Sequence, residues 1–265
     1  MAIQDVGGKW ISVQISGDGI ATILLDRPNK KNALDFESWR ALAASFAQLA
    51  DNAHLRVAVL GSTGSDFCAG ADIAEFDTMR GDPDAARIYE AANSAAFAAI
   101  RNFPVPTIAA IRGICFGGGF GLAAACDLRL ASRDARFAVP AARLGLAYPV
   151  DAMADIVHAL GPQIARHLTF TGTSLAAEEA LAAGFLLEVA DGDPFDRAMA
   201  IASTIATNAP LSVRASKASI GAVLSGRPED AERAGRIGDA TFASSDYAEG
   251  REAFRTRRQP KFRGE

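Results

Sequence analysis

Strand-like and helix-like stretches alternate along the first two thirds of the chain, and helical periodicity dominates the remainder. Two runs rich in β-forming residues, Trp10 to Ile15 and Ile20 to Leu25, flank Gly17-Asp18-Gly19, which predicts a hairpin. Arg27 to Asn32 is polar and contains a proline, so it reads as a loop. From about Asp35 apolar residues recur at helical spacing, with Phe36, Trp39, Leu42, Phe46 and Leu49 on one face. Arg56 to Gly61 carries the continuous apolar run of a buried strand, and Pro83 to Arg101 is an alanine-rich helix. Beyond Pro104 and Pro106, a strand is predicted over Thr107 to Ile111 and a small-residue helix over Leu122 to Cys126. Short strands follow at Asp127 to Ala131 and Arg136 to Val139. From about Ala152 the pattern is helical, broken by a strand-like Leu186 to Val189. This order predicts an α/β fold with a helical C-terminal region. The basic stretch Arg251 to Arg263 reads either as a lid or partner-contacting tail or as a solvated one. No tandem repeat or low-complexity linker interrupts the pattern.

The bulk properties narrow the class. With 265 residues, 49% of them hydrophobic, the chain can bury a sizeable core. A formal net charge of −4 argues against general affinity for nucleic acid or anionic membrane, while leaving room for a few local cations around a small polyanionic ligand. The three cysteines, Cys68, Cys115 and Cys126, are odd in number and lack metal-ligand spacing, so they read as reduced thiols of a cytoplasmic protein. Met1 to Trp10 has no apolar segment of a signal peptide, and no stretch approaches the roughly 20 apolar residues that span a bilayer. No metal site is expected.

Two loops carry the chemical signal: Cys68-Ala69-Gly70-Ala71-Asp72 and Gly117-Gly118-Gly119, each between a predicted strand and a helical stretch. Small residues let a ligand approach the backbone, and amides at a helix start are unpaired and partly positive. Two such amides aimed at one point would form an oxyanion hole. The plainer alternative is that the glycines only permit tight helix–strand packing. Other glycine-loop chemistries fit poorly. The chain has no Gly-x-x-x-x-Gly-Lys-Ser/Thr and no Gly-x-Ser-x-Gly. Gly119 to Ala124 formally matches a dinucleotide fingerprint but is not in the first βα unit and lacks an acidic residue about 20 positions on.

Phe67 to Ile73, and Gly113 to Gly119 with Cys126-Asp127, resemble the two signatures of the crotonase (enoyl-CoA hydratase/isomerase) superfamily. Further stretches are similar in family order. These are Leu25 to Leu34, Phe137-Ala138-Val139-Pro140 with Leu144-Gly145-Leu146, Ala176 to Phe185, and Asp246 to Gly250 with Phe254, Arg257 and Arg258. The resemblance thus covers nearly the whole chain. It implies a crotonase-type repeated ββα superhelical core over residues 1–195 and a helical trimerisation or lid region over 196–265. It also implies an acyl-CoA thioester as substrate, no cofactor beyond that coenzyme A moiety, and a homotrimer or dimer of trimers. By the same resemblance, Ala71 and Gly118 supply the oxyanion N–H donors, and Asn29, Lys30, Lys31, Ala69, Asp72 and Ile73 surround the coenzyme. Asp72 reads first as the cap of the following helix and only then as a ligand contact, and Lys30, Lys31, Arg257 and Arg258 read as either solvated groups or partners of a coenzyme A phosphate.

The departure from the family is chemical. Its hydratases use two glutamates, at positions that here hold Gly121 and Ala141, and neither residue can move a proton. Asp151 is the first alternative acid/base, within Tyr148-Pro149-Val150-Asp151, and reads equally as the N-cap of a helix from Ala152. Tyr148 is a hydrogen-bond donor or an aromatic wall; Glu90, on the helix between the two loops in a region that can line the acyl pocket, is expected instead on a solvated face with Arg87. Cys68 and Cys115 read as packing residues, and His54, His158 and His167 as structural or exposed. Two functions follow. One is an enzyme stabilising a thioester enolate, with isomerase- or decarboxylase-type chemistry favoured over hydration. The other is an acyl-CoA-binding protein with little or no catalysis.

Overall fold

The computed structural model describes residues 8–265, so most of the Met1 to Trp10 reading falls outside the described residues. β1 (Ile11–Ile15) and β2 (Ile20–Leu25) form the expected antiparallel hairpin. α1 (Phe36–Ala50) follows, with Asp35 as its cap accepting the Ser38 N–H at 2.9 Å. The chain continues through β3 (Val57–Ser62), the single turn α2 (Phe76–Met79) and α3 (Pro83–Arg101). Next come β4 (Thr107–Ile111), β5 (Ile114–Phe116), α4 (Gly118–Ala125), β6 (Leu128–Ser132) and β7 (Arg136–Ala138). α5 (Val150–Thr171), kinked at Gly161-Pro162, precedes β8 (Ser174–Ala176), α6 (Ala177–Ala182) and β9 (Glu188–Ala190). The chain ends in α7 (Pro194–Ala206), α8 (Pro210–Ser225), α9 (Pro228–Thr241) and α10 (Ser245–Thr256).

A six-stranded sheet has the order β1-β2-β3-β4-β6-β9, parallel from β2 onward, and a three-stranded sheet has the order β5-β7-β8. Because β3 and β4 are buried on both faces, they read as continuous apolar runs. One face, with Ala58 and Leu60, packs against α1 and α3. The other, with Val57, Val59, Ile108 and Leu130, meets Ala198 and Ala202 of α7. The division expected after residue 195 falls inside α7, which packs on the sheet. Asp127 then anchors α8: its carboxylate accepts the Thr107 N–H and the Lys217 ammonium, each at 2.7 Å.

The sequence reading did not anticipate β5, β8 or the single turn α2, and three other elements start two or more residues from where it placed them. α4 starts at Gly118 rather than Leu122, so the glycines are its first turn. β9 is Glu188–Ala190, shifted from the Leu186 to Val189 run because pairing with Leu130 to Ser132 sets its extent. α5 starts at Val150 with Pro149 as its cap, which leaves Asp151 in the first turn rather than capping it.

Candidate active site

The glycine loops are stitched together by backbone bonds. Cys68 N–H donates to Ile114 O and Phe116 N–H to Cys68 O, both at 2.9 Å, which makes a parallel bridge between Cys68 and Cys115. Leu34 N–H donates to Gly70 O at 2.8 Å and Asp72 N–H to Leu34 O at 2.9 Å. In that bridge Ala71 contributes neither donor nor acceptor, so its N–H faces away from Leu34. Gly117, at φ 55°, turns the chain into α4 while its own N–H goes to Ala138 O at 2.9 Å. Gly118 is the first residue of α4, where amides lack an intrahelical acceptor. Among the described residues, no acceptor takes the N–H of Ala71 or of Gly118.

The spacing explains the residue sizes. A Cβ on Gly70, at φ 97°, would lie 2.9 Å from the Gly118 nitrogen and 2.9 Å from Phe116 O. One on Gly119 would lie 2.3 Å from Cys68 O. At its other end α4 is closed by Arg129, which donates to Ala123 O at 3.3 Å, Cys126 O at 2.5 Å and Phe185 O at 2.6 Å.

The residues expected around the coenzyme lie on this same rim. Asn29, Lys30 and Lys31 are exposed, and Lys31 O accepts the Ala69 N–H at 2.9 Å. Asp72 is buried, caps the turn Ile73–Glu75 by accepting the Ala74 N–H at 3.1 Å, and pairs with Arg27 at 2.8 Å. Ile73 stands exposed beside it. Arg258 is held by Glu249 at 2.6 Å, which reduces its freedom to meet a phosphate. No cluster of three or more His, Cys, Asp or Glu suited to a metal ion exists among the described residues.

At the family's acid–base positions, Gly121 faces the Phe97 ring, whose Cζ would be 2.7 Å from an added Cβ. Ala141 sits in the turn Pro140–Leu144. Asp151 accepts a 3.4 Å hydrogen bond from Ser94 Oγ and has Arg101 at 3.9 Å. Arg101 is bound more tightly to Asp155, whose carboxyl is pushed up to about 6 by burial, against the pull of Arg101. Glu90 departs from its expected partner: Arg87 pairs with Asp84, and Glu90 pairs with Arg80 at 2.9 Å. Burial raises the Glu90 pKa, the Arg80 charge opposes the rise and the Asp151 charge adds to it. Burial also holds the Tyr148 phenol above its ordinary range, with the Glu90 charge contributing, and its hydroxyl is 3.7 Å from a Cβ built on Gly117. Burial pushes the Cys68 and Cys126 thiols up to about 12, so all three buried cysteines are packing groups at neutral pH. The three histidines are exposed.

Sequence reasoning passed over Arg80, which pairs with Glu90, and the buried Asn93. Asn93 is the one amide side chain on a buried helix face shared with Tyr89, Ala92, Ala96, Phe97 and Ile100, a signal visible from spacing alone.

Residues 16–265 match the family model described as enoyl-CoA hydratase/isomerase. The chain is 34% identical over 256 residues to enoyl-CoA hydratase domain-containing protein 2, mitochondrial, of Mus musculus, covering 93% of this chain and 85% of that protein. It is 31% identical over 227 residues to the Delta(3,5)-Delta(2,4)-dienoyl-CoA isomerase, mitochondrial, of the same organism, covering 81% and 69%. An enoyl-CoA hydratase/isomerase family protein from Hyphomonas neptunium superposes with a TM-score of 0.91 at 34% identity, covering 97% of this chain and 98% of that one.

Proposed function

The chain belongs to the enoyl-CoA hydratase/isomerase (crotonase) family, and from that premise we propose that it binds an acyl-CoA thioester, stabilises its enolate and shifts a double bond or expels CO2 from a carboxylated acyl group rather than adding water. The observation that carries this reading is a pair of unclaimed amides, Ala71 and Gly118, on two loops in contact, beside a Gly121 whose space is taken by Phe97. The amides would receive the thioester oxygen as negative charge develops on it, where α4's positive end also acts. Removing one such donor typically costs roughly 3–4 kcal/mol in the barrier. Asn29, Lys30, Lys31, Ala69, Asp72 and Ile73 would line the coenzyme, largely through backbone, with no other cofactor required.

Asp151 is the proton-moving group in this proposal. Its carboxylate takes a proton from carbon, the C–H electrons delocalise onto the thioester oxygen, and the proton returns to a different carbon. One carboxylate suffices for that exchange, whereas hydration would need a second group to activate water. In the decarboxylase variant the breaking C–C bond leaves its electrons on the enolate as CO2 departs, no base is needed, and the enolate carbon then takes a proton from water. The competing reading, an acyl-CoA binder with little or no turnover, is favoured by the engagement of Asp151 with Ser94 and Arg101.

Assays with crotonyl-CoA, a simple double-bond isomer and malonyl-CoA separate the cases. Loss of the enoyl-thioester absorbance through hydration would refute the preference for isomerisation or decarboxylation, and binding of all three without turnover would favour the binder. Asp151→Asn should abolish isomerisation while sparing binding; surviving turnover removes Asp151 from the mechanism. We further propose a homotrimer or dimer of trimers in the cytoplasm, the reducing compartment that suits three buried thiols.

A further inference from the structure

Cys68 is bonded to one amide loop and wedged against the other. Its side chain is fully buried, and burial keeps the thiol protonated at neutral pH, so it is no nucleophile but retains its S–H donor. The Sγ donates to Asn32 O at 3.1 Å and more weakly to Gly70 O at 3.9 Å, and it accepts the Gly70 N–H at 3.4 Å. A Cβ built on Gly119 would lie 2.7 Å from the Cys68 Cβ, which puts Cys68 in contact with the second loop as well. Asn32 and Gly70 are buried, and neither the Asn32 carbonyl nor the Gly70 amide has another partner among the described residues. Buried backbone groups in native folds are almost always paired; here a single thiol pairs two of them.

The groups it pairs control the first amide. The Gly70 carbonyl and the Ala71 N–H share one rigid peptide plane. Leu34 N–H holds that plane from its carbonyl side at 2.8 Å, and Cys68 holds the preceding plane through the Gly70 N–H. Securing the planes on both sides of Gly70 fixes the dihedral angles of a residue at φ 97°, which as a glycine is otherwise among the freest in the loop. The direction of the Ala71 N–H follows from those angles. Cys115 stands three residues before Gly118, as Cys68 stands three before Ala71, but its thiol donates to Gly119 O at 3.5 Å, an oxygen already within the α4 hydrogen-bond ladder.

We infer that Cys68 is a positioning residue: by tying Gly70 to the Asn32 carbonyl, its thiol keeps the Ala71 N–H aimed, beside the Gly118 N–H, at the oxygen of a bound thioester. An oxyanion hole works through donors fixed before the charge develops, so a loosened Gly70 costs polarisation of the carbonyl rather than contact with the coenzyme. This role goes beyond packing, and it rests on the acyl-CoA reading above.

Isotope-edited infrared spectroscopy of the full chain with butyryl-CoA labelled at its thioester carbonyl tests it, because the donors of an oxyanion hole polarise that bond and lower its stretching frequency. The wild-type protein should lower the frequency relative to free butyryl-CoA. Cys68→Ala, which removes both thiol bonds, should lose most of that shift while its affinity for butyryl-CoA falls less than about tenfold. Cys68→Ser, which keeps a donor and an acceptor, should retain the shift. So should Cys115→Ala, which opens the same sulfur-sized space beside the same loops. If Cys68→Ala does not fold, Cys68→Val, apolar and close in size to cysteine, takes its place. A full shift in the folded alanine or valine variant, or an equal loss in Cys68→Ser and Cys115→Ala, overturns the inference and leaves the acyl-CoA reading intact. Binding to the wild-type protein without any shift overturns the amide pair and this inference together, and failure of butyryl-CoA to bind overturns the acyl-CoA reading as well.

Discussion

At the scale of single residues, what a side chain does here is decided by neighbours distant in sequence. Glu90 illustrates the limit of reading locally. Arg87, three residues earlier on the same helix, is the natural partner by spacing, yet Arg80 reaches back across the α2–α3 turn and takes it. Gly121 was legible as a missing acid, but not as a position filled from α3 by Phe97. That contact predicts that Gly121→Ala lowers stability by roughly 1–3 kcal/mol through overpacking, and that adding Phe97→Leu recovers part of the loss, as read from urea midpoints. Asp155 makes a second prediction. Its carboxyl titrates at about 6 in the folded protein against 3.8 in a free chain, because burial outweighs Arg101. Between those values the native state holds more protons than the unfolded one, so this group's stabilising contribution is complete below about pH 4 and disappears as pH rises through 6. The swing is at most about 3 kcal/mol. Asp155→Asn should flatten the stability profile over that window, and an unchanged slope would contradict the assignment.

At the scale of elements, long periodic stretches were readable and short ones were not. α3 and β4 have the limits that Pro83 and the Thr107 to Ile111 run announce, and α1 buries the Trp39, Leu42, Phe46 and Leu49 stripe. α4 began four residues earlier than its apolar content suggested. Glycine is a poor helix former, but Gly118 and Gly119 lie against Trp39 and Cys68, where any larger residue would collide. β9 moved because pairing, not composition, fixes a three-residue strand. The loop that carries Ala71 was identifiable by motif, while its contact with Gly118 required coordinates. That contact predicts that Gly70→Ala, forced into φ 97° and within 2.9 Å of the Gly118 nitrogen, loses at least tenfold in acyl-CoA affinity or turnover. Normal affinity together with normal turnover in a folded variant would mean the two loops are not one site.

At the scale of the molecule, the α/β core and its helical C-terminal region followed from the order of patterns, but the surface did not. The last three helices leave Ile220, Val223, Leu224, Phe242 and Phe254 exposed, with Val223 at 80% and Phe254 at 89%. Apolar surface of that kind marks association sites. We expect sedimentation to give a mass of three or six chains, and Phe254→Glu with Val223→Glu to shift it toward one; a wild-type monomer would refute this. Within each chain, the electrostatics of α4 are asymmetric. Its carbonyl end is met by the desolvated Arg129 guanidinium at Ala123 O and Cys126 O, and at its amide end the Gly118 N–H has no acceptor among the described residues. Both poles are wired from inside the protein, whereas Lys30 and Lys31 stand in solvent. Added salt should therefore loosen the grip on the coenzyme's phosphates while leaving the polarisation of the bound carbonyl almost untouched, so that how tightly the molecule holds its ligand and how strongly it activates it become independently adjustable.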